Sequence, residues 1–331
     1  MYERFFDLQE NPFTIAPNPR YLYMSQAHQE ALAHLLYGVQ GATGGFIVLT
    51  GEVGTGKTTL CRCFLAQLSP TEIEVALIFN PPTCIEELLI VICSELGIHI
   101  PAESGGILTN ALIQAINQHL LAVYAKGRKT LLMIDEAQNL SYAVLEQLRL
   151  LTNLETNEAK LLQIILLGQP ELKEMLAQTV LRQLAQRITA RYHLEGLSYP
   201  DTCAYVAHRL AVAGCHHSIF QANAMRLLFT YSRGLPRLIN LLCDRALLGA
   251  YALDEHGVNK KIMRHAAQEV LDITDKYRWL FSLFSGGTKR ILRYSFFVLI
   301  LASFVLGVLS LNQSQKIKHF FTSMLVKSAI D

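Results

Sequence analysis

A short glycine-rich segment of this chain has the residue types and spacing of a phosphate-binding loop. The segment GEVGTGKTT, residues 51–59, fits the pattern G-x-x-x-x-G-K-[ST] and lies between an apolar strand-like run and a helical run. Glycines let successive backbone N–H groups point at one anion, and the following helix N-terminus adds partial positive charge. Lys57 is expected to reach the β- and γ-phosphates of a nucleotide, and the Thr58 hydroxyl to ligate Mg²⁺. The residues predicted to bind the nucleotide are Gly51, Glu52, Val53, Gly54, Thr55, Gly56, Lys57, Thr58 and Thr59.

A pair of carboxylates follows a second apolar run. In LLMIDEAQ, residues 131–138, four apolar residues suited to a buried strand end in Asp135 and Glu136. A carboxylate at the end of such a strand can hold Mg²⁺, and its neighbour can orient or deprotonate an attacking water. Acidic residues commonly close strands, so the pair is informative because it lies downstream of the phosphate-binding loop. The two motifs together predict hydrolysis of ATP or GTP.

Gln169 and Arg237 are two further candidates for contact with the nucleotide. Gln169 follows the apolar run LQIILLG, where its amide is placed to contact the γ-phosphate or the attacking water. Arg237, in GLPRLIN, opens a helix from which its side chain can reach back to the phosphates. The plain alternatives are a loop glutamine and an ordinary helix-surface arginine.

Three arginines in LRQLAQRITARYHL, residues 181–194, are candidates for a role across a subunit boundary. An arginine presented at a subunit edge can stabilise the transition state in a neighbour's site. Solvated cations at a helix end are an equally plain explanation for any one of them. The three are Arg182, Arg187 and Arg191.

Alternating strands and helices are expected to position these groups. The pattern predicts an α/β fold with a parallel sheet covered by helices, followed from about residue 198 by helices only. A helix over 26–39 precedes the first strand, with Ser25 as its N-cap. The predicted strands are 46–50, 75–80, 130–135, 162–168 and 191–197.

Composition limits the other classes of function. The 331 residues carry a formal net charge of +2, which gives no bulk argument for binding nucleic acid. The seven cysteines form no C-x-x-C pair, which disfavours a disulfide framework or a structural zinc site. The CHH segment at 215–217 has no second pair of ligands and is interpreted as a turn.

One apolar segment near the C-terminus predicts a membrane anchor. Residues 294–311 hold no charge and span about 27 Å as a helix, close to the ~30 Å hydrocarbon core. A buried core helix is the alternative. Cations at 289, 290 and 293 precede the segment, so the positive-inside rule places the N-terminal body in the cytoplasm. No signal peptide is expected, because the segment MYERFFDLQENPF is polar and acidic.

Several segments, taken in order, resemble one family of ATPases. They are MYERFFDLQENPFTIAPNPRYLYMSQAHQEALAHLLYGV, GEVGTGKTTLCRCFL, LLMIDEAQNL, LEQLRLLTNLET, LLQIILLGQPEL and RQLAQRITARYHL. Over roughly residues 1–311 the chain resembles the AAA+ ATPases of the general secretion pathway protein A type, to which assembly ATPases of MSHA-type pili are related.

The resemblance implies a role for each candidate residue. Lys57 and Thr58 fall on Walker A positions, and Asp135 and Glu136 on Walker B positions. Gln169 corresponds to sensor 1 and Arg237 to sensor 2. The best match for the arginine finger is Arg187.

The resemblance also implies an ASCE-type sheet, ATP with Mg²⁺, a helical lid, assembly into homo-oligomers and an inner-membrane B-type partner. Such proteins usually continue after the membrane helix into a periplasmic region that binds peptidoglycan. Because this chain ends at Asp331, we expect any cell-wall function to reside on a partner or to be lost. The expected organisation is a P-loop domain with an N-terminal linker (1–197), a lid (198–273), a linker (274–293), the membrane helix (294–311) and a short periplasmic tail (312–331).

The leading hypothesis is a membrane-anchored ATPase of the inner membrane that drives or regulates assembly of a secretion or pilus machine. Its ATPase domain is expected in the cytoplasm. The alternative is a DNA-associated adaptor ATPase resembling transposition helper proteins, although the chain shows no basic stripe. A small-molecule kinase would require an acceptor pocket, which the sequence does not indicate.

Overall fold

Five parallel strands form the central sheet of the computed structural model. They are β1 (Gly45–Gly51), β2 (Ile73–Ile78), β3 (Lys129–Ile134), β4 (Leu162–Gly168) and β5 (Ile188–Leu194). Their order across the sheet is β2-β3-β4-β1-β5, and every adjacent pair is parallel. All five predicted strands are confirmed, and β4 has the predicted bounds. β5 begins at Ile188, before the predicted start at 191, because it pairs with β1 from that residue onward.

The structure describes residues 1–15, 18–40, 44–99, 108–156 and 159–271. Within this part of the chain, Met1–Val270 form one unit. None of the helices in these ranges is long and apolar enough to cross a membrane. The predicted linker 274–293, membrane helix 294–311 and tail 312–331 lie outside the described residues.

The central strands are buried on both faces, which explains their uninterrupted apolar sequences. Successive side chains of a strand point to opposite faces of the sheet. Phe46 and Val48 of β1 therefore pack in one core cluster, whereas Ile47 and Leu49 pack in the other. Each face needs a layer of helices to exclude water, and the chain supplies both.

Two helical layers cover the sheet. One face is covered by α2 (Gln26–Gln40) and α3 (Lys57–Gln67), whose apolar residues share a core cluster with β1, β3 and β4. The other face is covered by five helices, whose apolar residues form a second, larger core cluster with the sheet. These are α4 (Ile85–Glu95), α5 (Leu108–Ala125), α6 (Tyr142–Leu151), α7 (Pro170–Leu176) and α8 (Arg182–Ala185).

The C-terminal part of the described chain is helical, as predicted. Ser198 caps the first of these helices, since its hydroxyl accepts a hydrogen bond from the Asp201 amide at 3.2 Å. The four helices are α9 (Tyr199–Val212), α10 (Ala222–Ser232), α11 (Pro236–Ala252) and α12 (Lys260–Leu271). We refer to residues 199–271 as the helical module.

The N-terminal segment, residues 1–15, packs on the helical module rather than on the sheet next to it in sequence. The segment contains the short helix α1 (Tyr2–Phe5), in which the hydroxyl of the buried Tyr2 donates a hydrogen bond to the carboxylate of Asp244. Asn11 donates to the same carboxylate at 3.0 Å, and the Gln9 amide donates to the Ala213 carbonyl at 2.8 Å. The first residues of the chain are therefore tied to its last described helices.

Arg209 of α9 is the main polar link in this contact. Its guanidinium is 6% exposed and donates to the carbonyls of Pro12 and Thr14 and to the Tyr205 hydroxyl. It also lies over the ring of Tyr21, 4.7 Å from the centroid. A buried cation is stable only when its donors are satisfied, and the N-terminal segment supplies two of the three acceptors.

Replacing Arg209 should therefore weaken the contact between the N-terminal segment and the helical module. Arg209→Ala leaves the carbonyls of Pro12 and Thr14 without this donor, and we expect a loss of about 2–4 kcal/mol in the free energy of unfolding. Urea titration followed by circular dichroism measures the loss. Arg226→Ala, at an exposed position on α10, is the matched control and should cost less than about 0.5 kcal/mol. Equal losses for the two variants would contradict the assignment.

Candidate functional site

The predicted phosphate-binding loop connects β1 to α3 at the carboxyl end of the sheet. Lys57 is the first residue of α3, and its side chain is 8% exposed. Its ammonium donates to the carbonyls of Gly51 and Glu52 at 2.7 and 2.9 Å. Burial lowers the pKa of Lys57, and the carboxylates of Glu136 and Asp135 oppose that shift. The ammonium of Lys57 is therefore held within the loop by the loop's own carbonyls.

Gly54 and Gly56 give this loop its shape. Both have left-handed backbone conformations, with φ of +83° and +98°. Gly54 also lies against α11: its carbonyl accepts from the Arg237 amide at 3.3 Å, and a Cβ added to it would lie 2.6 Å from Arg237 Cβ. Glycine is thus required twice at Gly54, for its backbone angle and for the close approach of the helical module.

Asp135 joins the loop to β3. It is 5% exposed, and its Oδ2 accepts from the Thr58 hydroxyl at 3.1 Å, while its Oδ1 accepts from the Glu136 amide at 2.9 Å. A hydroxyl and a carboxylate side by side are the hard oxygen ligands that suit Mg²⁺, which usually takes its remaining ligands from water and phosphate. These two side chains fit the predicted magnesium site.

Glu136 is held by two amide side chains. Its carboxylate accepts from Gln138 Nε2 and, at 3.1 Å, from Gln169 Nε2. The Gln138 hydrogen bond lowers the pKa of Glu136, and the Gln169 hydrogen bond and the charge of Lys57 act in the same direction against burial. The carboxylate is therefore ionised at neutral pH. The Glu136 backbone is left-handed, with φ of +52°, a conformation that is uncommon for a residue other than glycine.

Gln138 is a site residue that sequence reasoning did not identify. The Gln138 Oε1 accepts from the backbone N–H of Gln169 at 3.1 Å, and the Gln138 Nε2 donates to Glu136. One side chain therefore bridges Glu136 and Gln169. It lies in the 3-10 turn Ala137–Asn139, directly after the carboxylates. A polar amide two residues beyond a strand-end carboxylate is the signal that could have indicated it.

A cleft of about 730 Å³ opens beside the loop. Three parts of the chain line it: the segment before α2, the loop with α3, and the helical module. In the helical module the Tyr205 hydroxyl and Asn240 Oδ1 are 2.9 Å apart. Because Arg209 donates to that hydroxyl, Tyr205 in turn donates its hydrogen bond to Asn240 Oδ1. The predicted residues that line the cleft are Val53, Gly54, Thr55, Gly56, Lys57, Thr58, Thr59, Glu136, Gln169 and Arg237.

The structure places Arg187 away from this cleft. Its Nη1 donates to the Arg149 carbonyl at 3.0 Å and to the Thr152 hydroxyl at 2.9 Å, at the C-terminal end of α6. A cation there satisfies the last carbonyls of a helix. Arg182 and Arg191 are exposed, and Arg191 donates to the Ala185 carbonyl at 3.1 Å. Arg237 therefore lines the cleft, whereas Arg182, Arg187 and Arg191 are not among its lining residues.

Comparison with known proteins defines the class of this fold. The AAA domain family matches residues 40–176. The ORC2 protein of Aeropyrum pernix in its ADP form aligns with a TM-score of 0.55 and 17% identity, covering 78% of this chain and 72% of that one. CDC6P from Pyrobaculum aerophilum aligns with a TM-score of 0.59 and 15% identity, covering 78% and 70%. At such identities the likeness concerns the fold alone. The chain thus has the fold of an AAA+ P-loop protein.

A closer relative in sequence is general secretion pathway protein A of Aeromonas hydrophila. The two are 55% identical over 279 residues, which are 84% of this chain and 50% of the relative. The resemblance to the general secretion pathway protein A type is therefore confirmed, and the chain is homologous to that protein. It spans half of the relative's length.

The contact of Gly54 with Arg237 can be tested with a matched pair of glycines. Gly54→Ala and Gly97→Ala both place a Cβ at positive φ, which costs about 1–2 kcal/mol. A Cβ at Gly97 meets nothing within 4 Å, whereas one at Gly54 collides with a backbone-anchored atom of α11. We expect Gly54→Ala to lose about 1–3 kcal/mol more in thermal or urea unfolding. Equal losses in the two variants would show that α11 can move away from Gly54 at little cost, which would contradict a tight contact there.

Proposed function

We propose that this protein is an ATPase that binds ATP with Mg²⁺ and hydrolyses it to ADP and phosphate. One observation carries the proposal: the ionised Glu136 carboxylate is fixed by two amides beside the Thr58–Asp135 pair and the enclosed Lys57. This arrangement combines a phosphate-binding cation, oxygen ligands for a cation and a water-orienting carboxylate within one cleft. The AAA domain match and the homology to a secretion-pathway protein support the same reading.

Each residue has a chemical role in this proposal. Thr58 and Asp135 are the residues that would hold Mg²⁺, which when bound would supply positive charge next to the phosphates. Lys57 leaves the loop carbonyls and donates to the β- and γ-phosphates. Glu136 orients the attacking water and accepts its proton, while Gln169 holds that carboxylate and contacts the γ-phosphate. Arg237 contributes charge from the helical module.

The lowered pKa of Glu136 affects how it acts. A carboxylate that is fully ionised at neutral pH is always ready to accept a hydrogen bond from water, although it is a weak base. We therefore propose that it mainly orients and polarises the water before the proton moves. Gln138 and Gln169 fix its direction, and such preorganisation lowers the barrier without reorganisation during the reaction.

Two substitutions separate nucleotide binding from hydrolysis. Lys57→Ala should abolish ATP binding, because the phosphates lose their enclosed cation. Glu136→Gln should bind ATP with nearly unchanged affinity and lower turnover by at least about a hundredfold, because Asp135 and Thr58 remain. Fluorescent-nucleotide titration and phosphate release measure the two effects. Glu174→Gln, at an exposed position on α7, should leave both unchanged. Hydrolysis by Glu136→Gln at the wild-type rate would refute the role of Glu136.

We further propose that the protein acts as a homo-oligomer in which an arginine serves the neighbouring site. The resemblance assigns this role to Arg187, which must then leave its acceptors on α6 when subunits assemble. Arg182 and Arg191 are both exposed and are the competing candidates, of which Arg191 is compared with Arg187 below.

Mixing experiments distinguish the two arginines. Each of Arg187→Ala and Arg191→Ala is combined with Lys57→Ala protein, and ATPase activity is measured across mixing ratios. The arginine that acts in trans should lose activity alone and regain part of it in the mixture, because one intact interface forms from two defective chains. If neither mixture regains activity while light scattering shows oligomers, the role in trans is wrong for both Arg187 and Arg191.

The cellular role that we propose follows the homologous protein. We infer a membrane-anchored ATPase that drives or regulates assembly of a secretion or pilus machine at the inner membrane. Residues 294–311 are the proposed single-pass anchor, with the ATPase on the cytoplasmic side and the tail outside. A B-type inner-membrane protein is the proposed partner. Homology at 55% identity supports the pathway.

The alternative of a DNA-associated adaptor has weaker support. The likeness to the ORC2 and CDC6P structures lies at 15–17% identity and concerns only the fold. The net charge of +2 adds no electrostatic argument for binding DNA. We therefore propose the secretion-related ATPase alone.

A further inference from the structure

His28 is a buried histidine that contacts the phosphate-binding loop from α2. It is 6% exposed and was not among the predicted site residues. Its Nε2 lies 3.0 Å from the Thr55 carbonyl, and its Nδ1 lies 2.7 Å from the Ser25 hydroxyl. The ring therefore connects the start of α2 to the centre of the loop.

The chemistry of these two partners fixes the tautomer of His28. A carbonyl oxygen can only accept, so Nε2 must carry the proton that it shares with Thr55. Nδ1 is then the acceptor of a hydrogen bond from the Ser25 hydroxyl. Ser25 Oγ in turn accepts from the His28 amide at 3.4 Å. Burial lowers the pKa of His28, in agreement with a neutral ring.

The Thr55 carbonyl belongs to the peptide unit that also carries the Gly56 N–H. In a trans peptide the C=O and N–H point in opposite directions, so fixing one fixes the other. Thr55 is fully buried, and its hydroxyl donates to the Glu52 carbonyl at 2.9 Å. His28 Nε2 also lies 3.1 Å from the position of a Cβ added to Gly56. The peptide between Thr55 and Gly56 is thus held from the side of α2.

We propose that His28 is a positioning residue for nucleotide binding. Its Nε2–H holds the Thr55 carbonyl, so that the Gly56 N–H points away from α2 and towards the bound phosphate. The two flanking glycines have no side chains to restrict this peptide, so an external donor is needed to set its orientation. This inference rests on the proposed binding of ATP and adds a residue outside the loop motif.

Two polar substitutions of His28 separate the two hydrogen bonds. His28→Gln places an amide nitrogen three atoms beyond Cβ, as Nε2 is, and keeps the donor to Thr55. His28→Asn places its polar atoms only two atoms beyond Cβ, as Nδ1 is, and keeps only the acceptor for Ser25. We expect the Kd for ATP to rise less than about threefold in His28→Gln and more than about tenfold in His28→Asn. The kcat at saturating ATP should change little in either variant, because Glu136 and its amides are untouched.

Titration with a fluorescent ATP analogue gives the Kd values. The ATP-induced rise in Tm, measured against each variant's own unliganded Tm, is the second readout and corrects for any general loss of stability. A merely structural role would weaken binding equally in the two variants, and that result would overturn the proposal. Wild-type affinity in His28→Asn would overturn it as well. Failure of the wild-type protein itself to bind ATP would instead refute the proposed ATPase function.

Discussion

The parallel pairing of β4 with both β1 and β3 is the constraint on which the site depends. In this register Thr50 lies beside Gly168, and Ile134 lies beside Leu166. The carboxyl ends of the three strands therefore meet at one edge of the sheet. The loop after β1, the carboxylates after β3 and the amide after β4 become neighbours although they are far apart in sequence. The apolar residues of these strands hold the sheet between the two core clusters, one on each face.

The polar groups at this edge form one connected network rather than isolated pairs. Asp135 contacts Thr58, and Glu136 is shared by Gln138 and Gln169. Two adjacent carboxylates in a partly buried site would repel each other if nothing offset their charge. The enclosed ammonium of Lys57 and the amide donors offset it. The same groups that make the site stable without a nucleotide are those that phosphate and Mg²⁺ would engage, so binding exchanges partners instead of exposing charges.

The elements before the loop and after the sheet are coupled to it through backbone contacts. Gly54 accepts from the amide of Arg237 at the start of α11, and Thr55 accepts from His28 on α2. The helical module is in turn tied to the N-terminal segment by Arg209. Two parts of the chain, α2 and the helical module, therefore contact the phosphate-binding loop. Both contacts use backbone carbonyls of the loop, those of Gly54 and Thr55. A change in the loop's backbone conformation therefore requires α2 or the helical module to move with it.

The sequence by itself determined the features that local chemistry specifies. Glycine spacing marked the phosphate-binding loop, apolar runs marked β1 and β4, and a strand-end position marked Asp135 and Glu136. The tertiary structure alone decided which distant residues meet. His28 and Thr55 are 27 residues apart, Gln138 and Gln169 are 31 apart, and Arg187 and Arg149 are 38 apart. The start of β5 also needed the structure, because this half-exposed edge strand lacks the continuous apolar run of a central strand. Periodicity reports which face of an element is buried, whereas strand order and register decide what lies against that face.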